Sequence, residues 1–359
     1  MSKIKVGVVG AGNCLAGLVQ GIEYYRRNKK KRTGLMYEKI GGYSVEDIDF
    51  VSAFDVGKNK VGRSLSEAIF ADPNYVDWVD SVSGCDVMVK ESPILDGIGV
   101  YTVNKIDPLE QTKSAELIQK ETIEEIENTG TKLLVNYLPV GSQKATEFWA
   151  DVALKTNCAF INCIPVFIAS NENWEKKFRK KRLPIIGDDI KSQIGATIVH
   201  RVLTKLCLDR GAEIDRTYQI NVGGNTDFLN MLERERLESK KISKTEAVQS
   251  QLTKRLDDDN IYIGPSDFIP FLGNRKLAFI RIEGRMYADV PFNMELRLDV
   301  DDKANSGGTT IDAIRCAQLA LDRGVGGALI PPSAYLMKRP PKQMSDYEAR
   351  AKLNEWIRG

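Results

Sequence analysis

The chain has 359 residues, 42% of them hydrophobic, with 51 Lys and Arg against 49 Asp and Glu and a formal net charge of +2. That length exceeds one ordinary domain and favours two around a cleft, while the near balance of charge gives no overall field to draw in nucleic acid or an anionic membrane, so any anion site must be local. A single histidine, His200, leaves Ser-His-Asp hydrolysis and multi-histidine metal centres almost nothing to work with, and acid-base work falls to lysines and carboxylates.

Six cysteines (Cys14, Cys85, Cys158, Cys163, Cys207, Cys316) form no C-x-x-C pair, which suits reduced thiols in a cytoplasmic protein. No apolar run reaches the roughly 18 to 20 residues of a membrane span, so a soluble protein with no membrane partner is expected.

From the N-terminus, IKVGVVGAGNC reads as a β-branched strand, Ile4 to Val9, running into Gly10 and Gly12, and LAGLVQGIEYYRRN continues as a helix. This is the strand, glycine turn, helix order that sets backbone N–H groups and a helix N-terminus against a pyrophosphate. The third glycine of G-x-G-x-x-G would fall at Leu15, with Gly17 two residues on. A second strand, IDFVSAFD, ends in Asp55, either the acceptor for ribose hydroxyls or an ordinary turn residue. Asp55 lies more than twice as far past Gly12 as the roughly 20 residues usual for that acceptor, which calls for an insertion, visible as the basic stretch from Asn28 to Asp47.

Strand and helix signals then alternate through CDVMVKES, a helix from Thr112 to Asn128, KLLVNYLP, a helix from Ser142 to Asn157, CAFINCIP, a basic helix near Trp174, and LPIIGDD. Such alternation predicts a parallel sheet wound on both faces, with NYLPVGS (residues 136–142) at a strand's carboxyl end, where open α/β sheets bind ligands. From about Ser192 a helix runs to Asp209 and carries His200, whose expected place is packing or helix surface. TYQINVGG, KLAFIRIEGRMY and PFNMELRLDV follow as longer strands of a mostly antiparallel sheet in a second α+β domain. In between, Lys240 and Lys244 stand about one helical turn apart, so a helix here would send both ammonium groups from one face toward one ligand; the alternative is a solvated charged face. After Asn305 the chain returns to helix with TTIDAIRCAQLALDRG and packs back on the first unit. The expected division is residues 1–195 with 306–359 as a Rossmann-like unit and 196–305 as a catalytic and oligomerisation unit.

With GDDIKSQ, NVGGNTDFLNML, SKKISK, GNRK (273–276) and SAYLMK in this order behind a GAGNC turn, the whole chain resembles the inositol-1-phosphate synthase family in its short prokaryotic form. The resemblance implies an NAD-dependent cyclisation of glucose 6-phosphate: oxidation at carbon 5, enolisation, intramolecular aldol closure onto carbon 1, and re-reduction. It places the essential lysines at Lys240 and Lys244, Lys276 and Lys338, with Lys240 and Lys276 toward the reacting oxygens and Lys244 and Lys338 toward the aldehyde or phosphate. It sets Asp189 and Ser192 at the nicotinamide with Lys191 nearby, Asp312 and Ala313 at the cofactor from the returning tail, and Asn225 and Asp227 at the substrate turn, where Thr226 departs from the family's GNND. Asn13 and Cys14 then cover the pyrophosphate with backbone N–H groups, unless Cys14 is only helix-start packing.

A divalent metal is a further implication of that resemblance, with Asp188, Asp227 and Asp312 as candidate oxygen ligands, and so is a homotetramer. Two other readings stay open: a plain NAD-dependent sugar-phosphate dehydrogenase with net hydride transfer, and a nucleotide-bound regulatory protein without chemistry.

Overall fold

The computed structural model describes residues 3–264 and 267–359. In chain order its strands are β1 (Ile4–Val9), β2 (Ile48–Asp55), β3 (Val89–Glu91), β4 (Leu133–Asn136), β5 (Ala159–Asn162), β6 (Pro184–Ile186), β7 (Glu213–Gly223), β8 (Ile261–Ile263), β9 (Asp267–Phe268), β10 (Arg275–Arg285), β11 (Pro291–Asp301) and β12 (Gly327–Ala328). A parallel sheet runs β12-β6-β5-β4-β1-β2-β3. Its order reverses between β1 and β4, and the crevice outside the carboxyl ends at such a reversal is where doubly wound sheets bind ligands.

Successive residues of β4 explain the two-sided core, because side chains alternate across a strand. Leu133 and Val135 join Ile4, Val6 and Val8 beneath the helices Asn13–Arg27 and Asp302–Asp322, through Leu15, Leu18, Val19, Ile22, Ile311 and Ile314. Leu134 faces the other way, with Phe160 and Ile185, against Ile126, Trp149, Ala153 and Phe178 of the helices Ala115–Thr129, Gln143–Lys155 and Glu172–Lys180. Each large apolar side chain buried this way contributes about 1.5–3 kcal/mol, and Trp149 also meets Phe54 with ring centroids 4.7 Å apart.

The stretch between the helix Asn13–Arg27 and β2 has little regular structure and is held from outside itself. The Arg315 guanidinium, wholly buried, donates to the carbonyls of Tyr37 (2.9 Å), Glu38 (3.0 Å) and Tyr43 (3.4 Å). Three boundaries differ from expectation. CDVMVKES is strand only over Val89–Glu91, the helix expected from Ser192 starts at Ala196, and the helix expected after Asn305 starts at Asp302.

The second sheet runs β11-β10-β7-β8 with β9 beside β7. The long strands β7, β10 and β11 pair antiparallel, while β8 and β9 lie parallel to β7, so the sheet is mixed. One face packs on the helix Ala196–Asp209 through Cys207, Ile214, Ile280 and Ile282. His200 belongs to this packing: Nε2 lies 2.8 Å from Thr217 Oγ1 and Nδ1 lies 3.4 Å from Gln219 Oε1. Burial pushes its pKa down from 6.5 to about 4, opposed by the Gln219 bond. The unfolded chain therefore takes up the His200 proton first, and between pH 6.5 and about 4 acidification favours unfolding by on the order of 3 kcal/mol. Urea midpoints measured across that window should fall more steeply for the parent than for His200→Asn, and parallel curves would rule this out.

The C-terminal segment closes the first unit. β12 extends its sheet beside β6, and Asp346 accepts from Lys191 Nζ at 3.0 Å and Arg201 Nε at 2.9 Å, tying the last helix, Asp346–Arg358, to the loop after β6 and to the helix Ala196–Asp209.

Candidate active site

A large cleft opens at the carboxyl end of β1. With its open mouth included it takes in about 1910 Å³, and it is elongated, lined at one end by the glycine turn and at the other by lysines. One end is the glycine turn. Gly10 adopts φ +89°, and a Cβ there would come within 2.9 Å of the Tyr137 carbonyl, whereas a Cβ on Gly12 would meet open space. The helix Asn13–Arg27 starts at Gly12 with no side-chain cap and no acidic residue in its first turn, so its leading N–H groups are left for an incoming anion.

Neighbouring side chains brace this turn. Asp55 accepts from Ala11 N at 2.6 Å, Val56 N at 2.8 Å and Gly57 N at 2.7 Å. Lys60 Nζ donates to the Ala11 carbonyl at 2.9 Å. Asn13 accepts from Tyr75 N at 2.6 Å and reaches Thr226 Oγ1 at 3.4 Å, linking the turn to the second unit.

The other end is lined with lysines. On the helix Glu238–Gln249, Lys240, Ser243 and Lys244 share the buried face, as residues three and four apart must, while Ile242 is exposed. Lys240 Nζ pairs with Asp227 at 3.0 Å and Lys276 Nζ, at the start of β10, with Asp302 at 3.0 Å. Lys338 Nζ reaches Asp189 Oδ1 at 2.7 Å, and the Ser243 hydroxyl donates to Asp189 Oδ2 at 2.7 Å. Burial alone would raise the Asp227 carboxyl, but Lys240 and Lys303 bring it down to about 2. Burial likewise opposes ionisation of Asp302, and Lys276 and Lys303 hold it well below the carboxylate range.

Lys244 differs from its neighbours. No carboxylate among the described residues forms an ion pair with it, and burial together with the charges of Lys240, Lys276 and Lys338 pushes its pKa well below the ordinary lysine value. The cleft thus holds ammonium groups fixed by carboxylates and one amine biased toward its neutral form.

Among the residues expected from sequence, Gly10, Gly12, Asn13, Cys14, Asp55, Asp189, Ser192, Asp227, Lys240, Lys244, Lys276 and Lys338 all line this cleft. Others do not. Asn225 caps the turn after β7, accepting from Asp227 N at 3.1 Å and Phe228 N at 3.3 Å, and so aims Asp227 without facing the cleft. Lys191 is turned inward to Asp346 and the Ala334 carbonyl. Asp188 is fully buried, taking N–H groups of Ile168, Ala169 and Ser170 and the Asn162 amide. Asp312 and Ala313 sit in the core beneath the sheet, where Asp312 pairs with Arg315. Both are corrected from cofactor contacts to structural residues.

The proposed metal set does not assemble, because Asp188 spends its oxygens on Asn162 and backbone N–H groups, Asp312 is buried beneath the sheet beside Arg315, and Asp227 is paired with Lys240. Among the described residues no group of three His, Cys, Asp or Glu is placed to hold a metal ion. Sequence reasoning missed Asp302, Lys303, Ser243 and Lys60. The first two stand where β11 ends and the next helix begins, a join that the apparent domain boundary near Asn305 concealed.

Fold and cleft define an α/β protein with a Rossmann-like parallel sheet whose cleft is walled with lysine. Residues 195–303 match the family model described as myo-inositol-1-phosphate synthase. The chain is 51% identical over 360 residues to the inositol-3-phosphate synthase of Mycobacterium tuberculosis, covering 100% of this chain and 96% of that one. It is 48% identical over 363 residues to the Corynebacterium glutamicum protein of the same name, covering 99% and 98%. It shares its fold with a myo-inositol-1-phosphate synthase-related protein from Thermotoga maritima (TM-score 0.85, 24% identity, 99% and 98% of the chains). A Caenorhabditis elegans inositol-3-phosphate synthase has the same fold (TM-score 0.82, 13% identity, 99% and 86%). The chain belongs to the myo-inositol-1-phosphate synthase family.

Proposed function

We propose that the protein cyclises glucose 6-phosphate to 1L-myo-inositol 1-phosphate, using NAD without net consumption. The observation that carries this reading is the charge pattern at the far end of the cleft: ammonium groups on Lys240, Lys276 and Lys338, each held by a carboxylate, surround Lys244, which has none. The glycine turn fits a dinucleotide, since Gly12 leaves its space open, the helix behind it is uncapped, and Asp55 lines the wall where ribose hydroxyls would lie and would repel a 2′-phosphate.

Held by the glycine turn and the N-terminus of the helix Asn13–Arg27, NAD would supply reversible hydride transfer at carbon 5. The remaining work falls to the chain's own residues. Lys240 and Lys276 face oxygens that gain negative charge, at carbon 5 during enolisation and carbon 1 during ring closure. Lys338, anchored on Asp189, is left for the phosphate. Lys244, whose burial and charged neighbours favour the uncharged amine, receives the proton that leaves carbon 6, and those neighbours keep it from holding that proton tightly. Thr226 and Asn13 bridge the two units across the cleft and hold its two ends in register.

The division into residues 1–195 with 306–359 and 196–305 is part of this reading, supported by the two separate sheets, with the helix Asp302–Asp322 running across its second boundary. The protein acts in the cytoplasm as a homotetramer, a state supported by Ile220, Tyr262 and Phe279 exposed on the outer face of the second sheet; a monomeric mass in solution would refute it. The decisive assay supplies glucose 6-phosphate with catalytic NAD and measures periodate-releasable phosphate. Product without accumulated NADH supports the synthase; NADH in step with product would make the protein a dehydrogenase instead.

A pH profile probes Lys244 separately. As pH falls the amine takes up a proton and can no longer accept one, so kcat should drop on the acid side with a midpoint well below 10.5. Residual turnover of Lys244→Met should lack that limb, and an unchanged limb would remove Lys244 from proton transfer.

A further inference from the structure

Lys303 is a buried cation for which the reading above has no role. It lies in the first turn of the helix Asp302–Asp322, 5% exposed, with its Nζ 3.5 Å from Asp302 Oδ2 and 3.5 Å from Cys14 Sγ. Its stem is wedged against the helix that follows the glycine turn, so that a Cβ on Gly17 would come within 3.4 Å of Lys303 Cβ and 3.3 Å of its carbonyl. Its backbone N–H is pinned by Asp301 Oδ1 at 2.9 Å. Its position is therefore fixed before any ligand arrives.

Two positive features meet here. The uncapped N-terminus of the helix Asn13–Arg27 and the Lys303 ammonium converge beside Cys14, an unfavourable pairing unless an anion lies between them. On its other side Lys303 faces Asp302, which it shares with Lys276, and its charge is felt by Asp227. A hard divalent cation wedged among carboxylates and phosphate oxygens would occupy a place with the same neighbours. It would have to displace ammonium groups from Asp227 and Asp302 to do so, and the remaining candidate carboxylates, Asp188 and Asp312, are buried outside the cleft.

We infer that the Lys303 ammonium stands in for a divalent cation in this cleft, neutralising Asp227 and Asp302 and binding the dinucleotide's pyrophosphate, so that the protein needs no metal. The inference rests on the reading of the cleft as a site for NAD and a sugar phosphate.

The test uses the full chain stripped of metal by a chelator and saturated with NAD. Mn²⁺ titrated into that complex, followed by electron paramagnetic resonance, should find no tight stoichiometric site, and inositol phosphate formation should be the same within about twofold with and without the chelator. Lys303→Met should bind NAD about tenfold or more weaker, the size of a lost charged hydrogen bond, with Lys303→Arg recovering most of the loss. Stoichiometric Mn²⁺ on the parent complex, turnover that vanishes on chelation and returns with Mg²⁺, or unaltered NAD affinity in a folded Lys303→Met would each overturn the inference. Should Lys303→Met fail to fold, the Mn²⁺ titration of the parent still decides. A parent that makes no inositol phosphate under any condition defeats the functional reading alone, since the Mn²⁺ titration does not depend on turnover.

Discussion

Lys276→Ala is expected to form inositol phosphate with kcat roughly 10²–10³-fold lower, the loss seen when a preorganised group facing a developing oxyanion is removed, while binding NAD as the parent does. The substitution is clean because Asp302 keeps Lys303 as a partner at 3.5 Å when the 3.0 Å pair with Lys276 is lost. Lys276 also sits over the Phe228 ring, 5.8 Å from its centroid, so the flatter and longer guanidinium of Lys276→Arg should not restore the rate. Periodate-releasable phosphate gives the turnover and protein fluorescence gives NAD affinity. If the two fall by the same factor, Lys276 is a cofactor contact and its place in the proposed chemistry is wrong.

Asp346→Ala should cost about 3–5 kcal/mol of stability, because removing one partner of a buried ion network strands the others. Lys191 is 1% exposed and Arg201 wholly buried, and Asp346 is the only carboxylate in ion-pair range of either among the described residues. The defect should shrink in alkali. Burial, aided by Arg201, lowers the Lys191 pKa from 10.5 to about 8, so above pH 8 the folded chain sheds a proton that the unfolded chain keeps up to 10.5. Raising pH through that window favours the folded state, and more so once Asp346 no longer favours the charged amine. Urea unfolding of parent and variant at neutral and alkaline pH checks both parts; a variant within 1 kcal/mol of the parent at neutral pH would show that the network is solvated after all.

The elements that could be read from the chain were those whose burial pattern is local. β1, β4 and β5 are short runs apolar on both faces, and the spacing of Lys240 and Lys244 puts both on one side of a helix, though it does not say that this side is buried. What stayed hidden depends on direction or on distant partners. Asp188 and Asp189 are adjacent and chemically identical, yet one is turned into the core toward Asn162 and the other, at φ +64°, into the cleft toward Lys338. Nothing in a Gly-Asp-Asp string says which is which. Asp312 did carry a signal: Arg315 stands three residues on, a spacing at which helical side chains meet, and favours an internal pair over a cofactor contact. Asp302 and Lys303 gain their meaning only when the helix they begin is laid against the glycine turn, many residues away in sequence.

Asp55 bears on any effort to re-engineer the cleft for a different nucleotide. The obvious redesign would delete its negative charge to admit an extra phosphate on the ribose. Yet the same carboxylate is the keystone for the N–H groups of Ala11, Val56 and Gly57, so deleting it loosens the loop that must grip the ligand. Selectivity and scaffold are soldered together at one side chain, and a designer would have to rebuild the turn before retuning its preference.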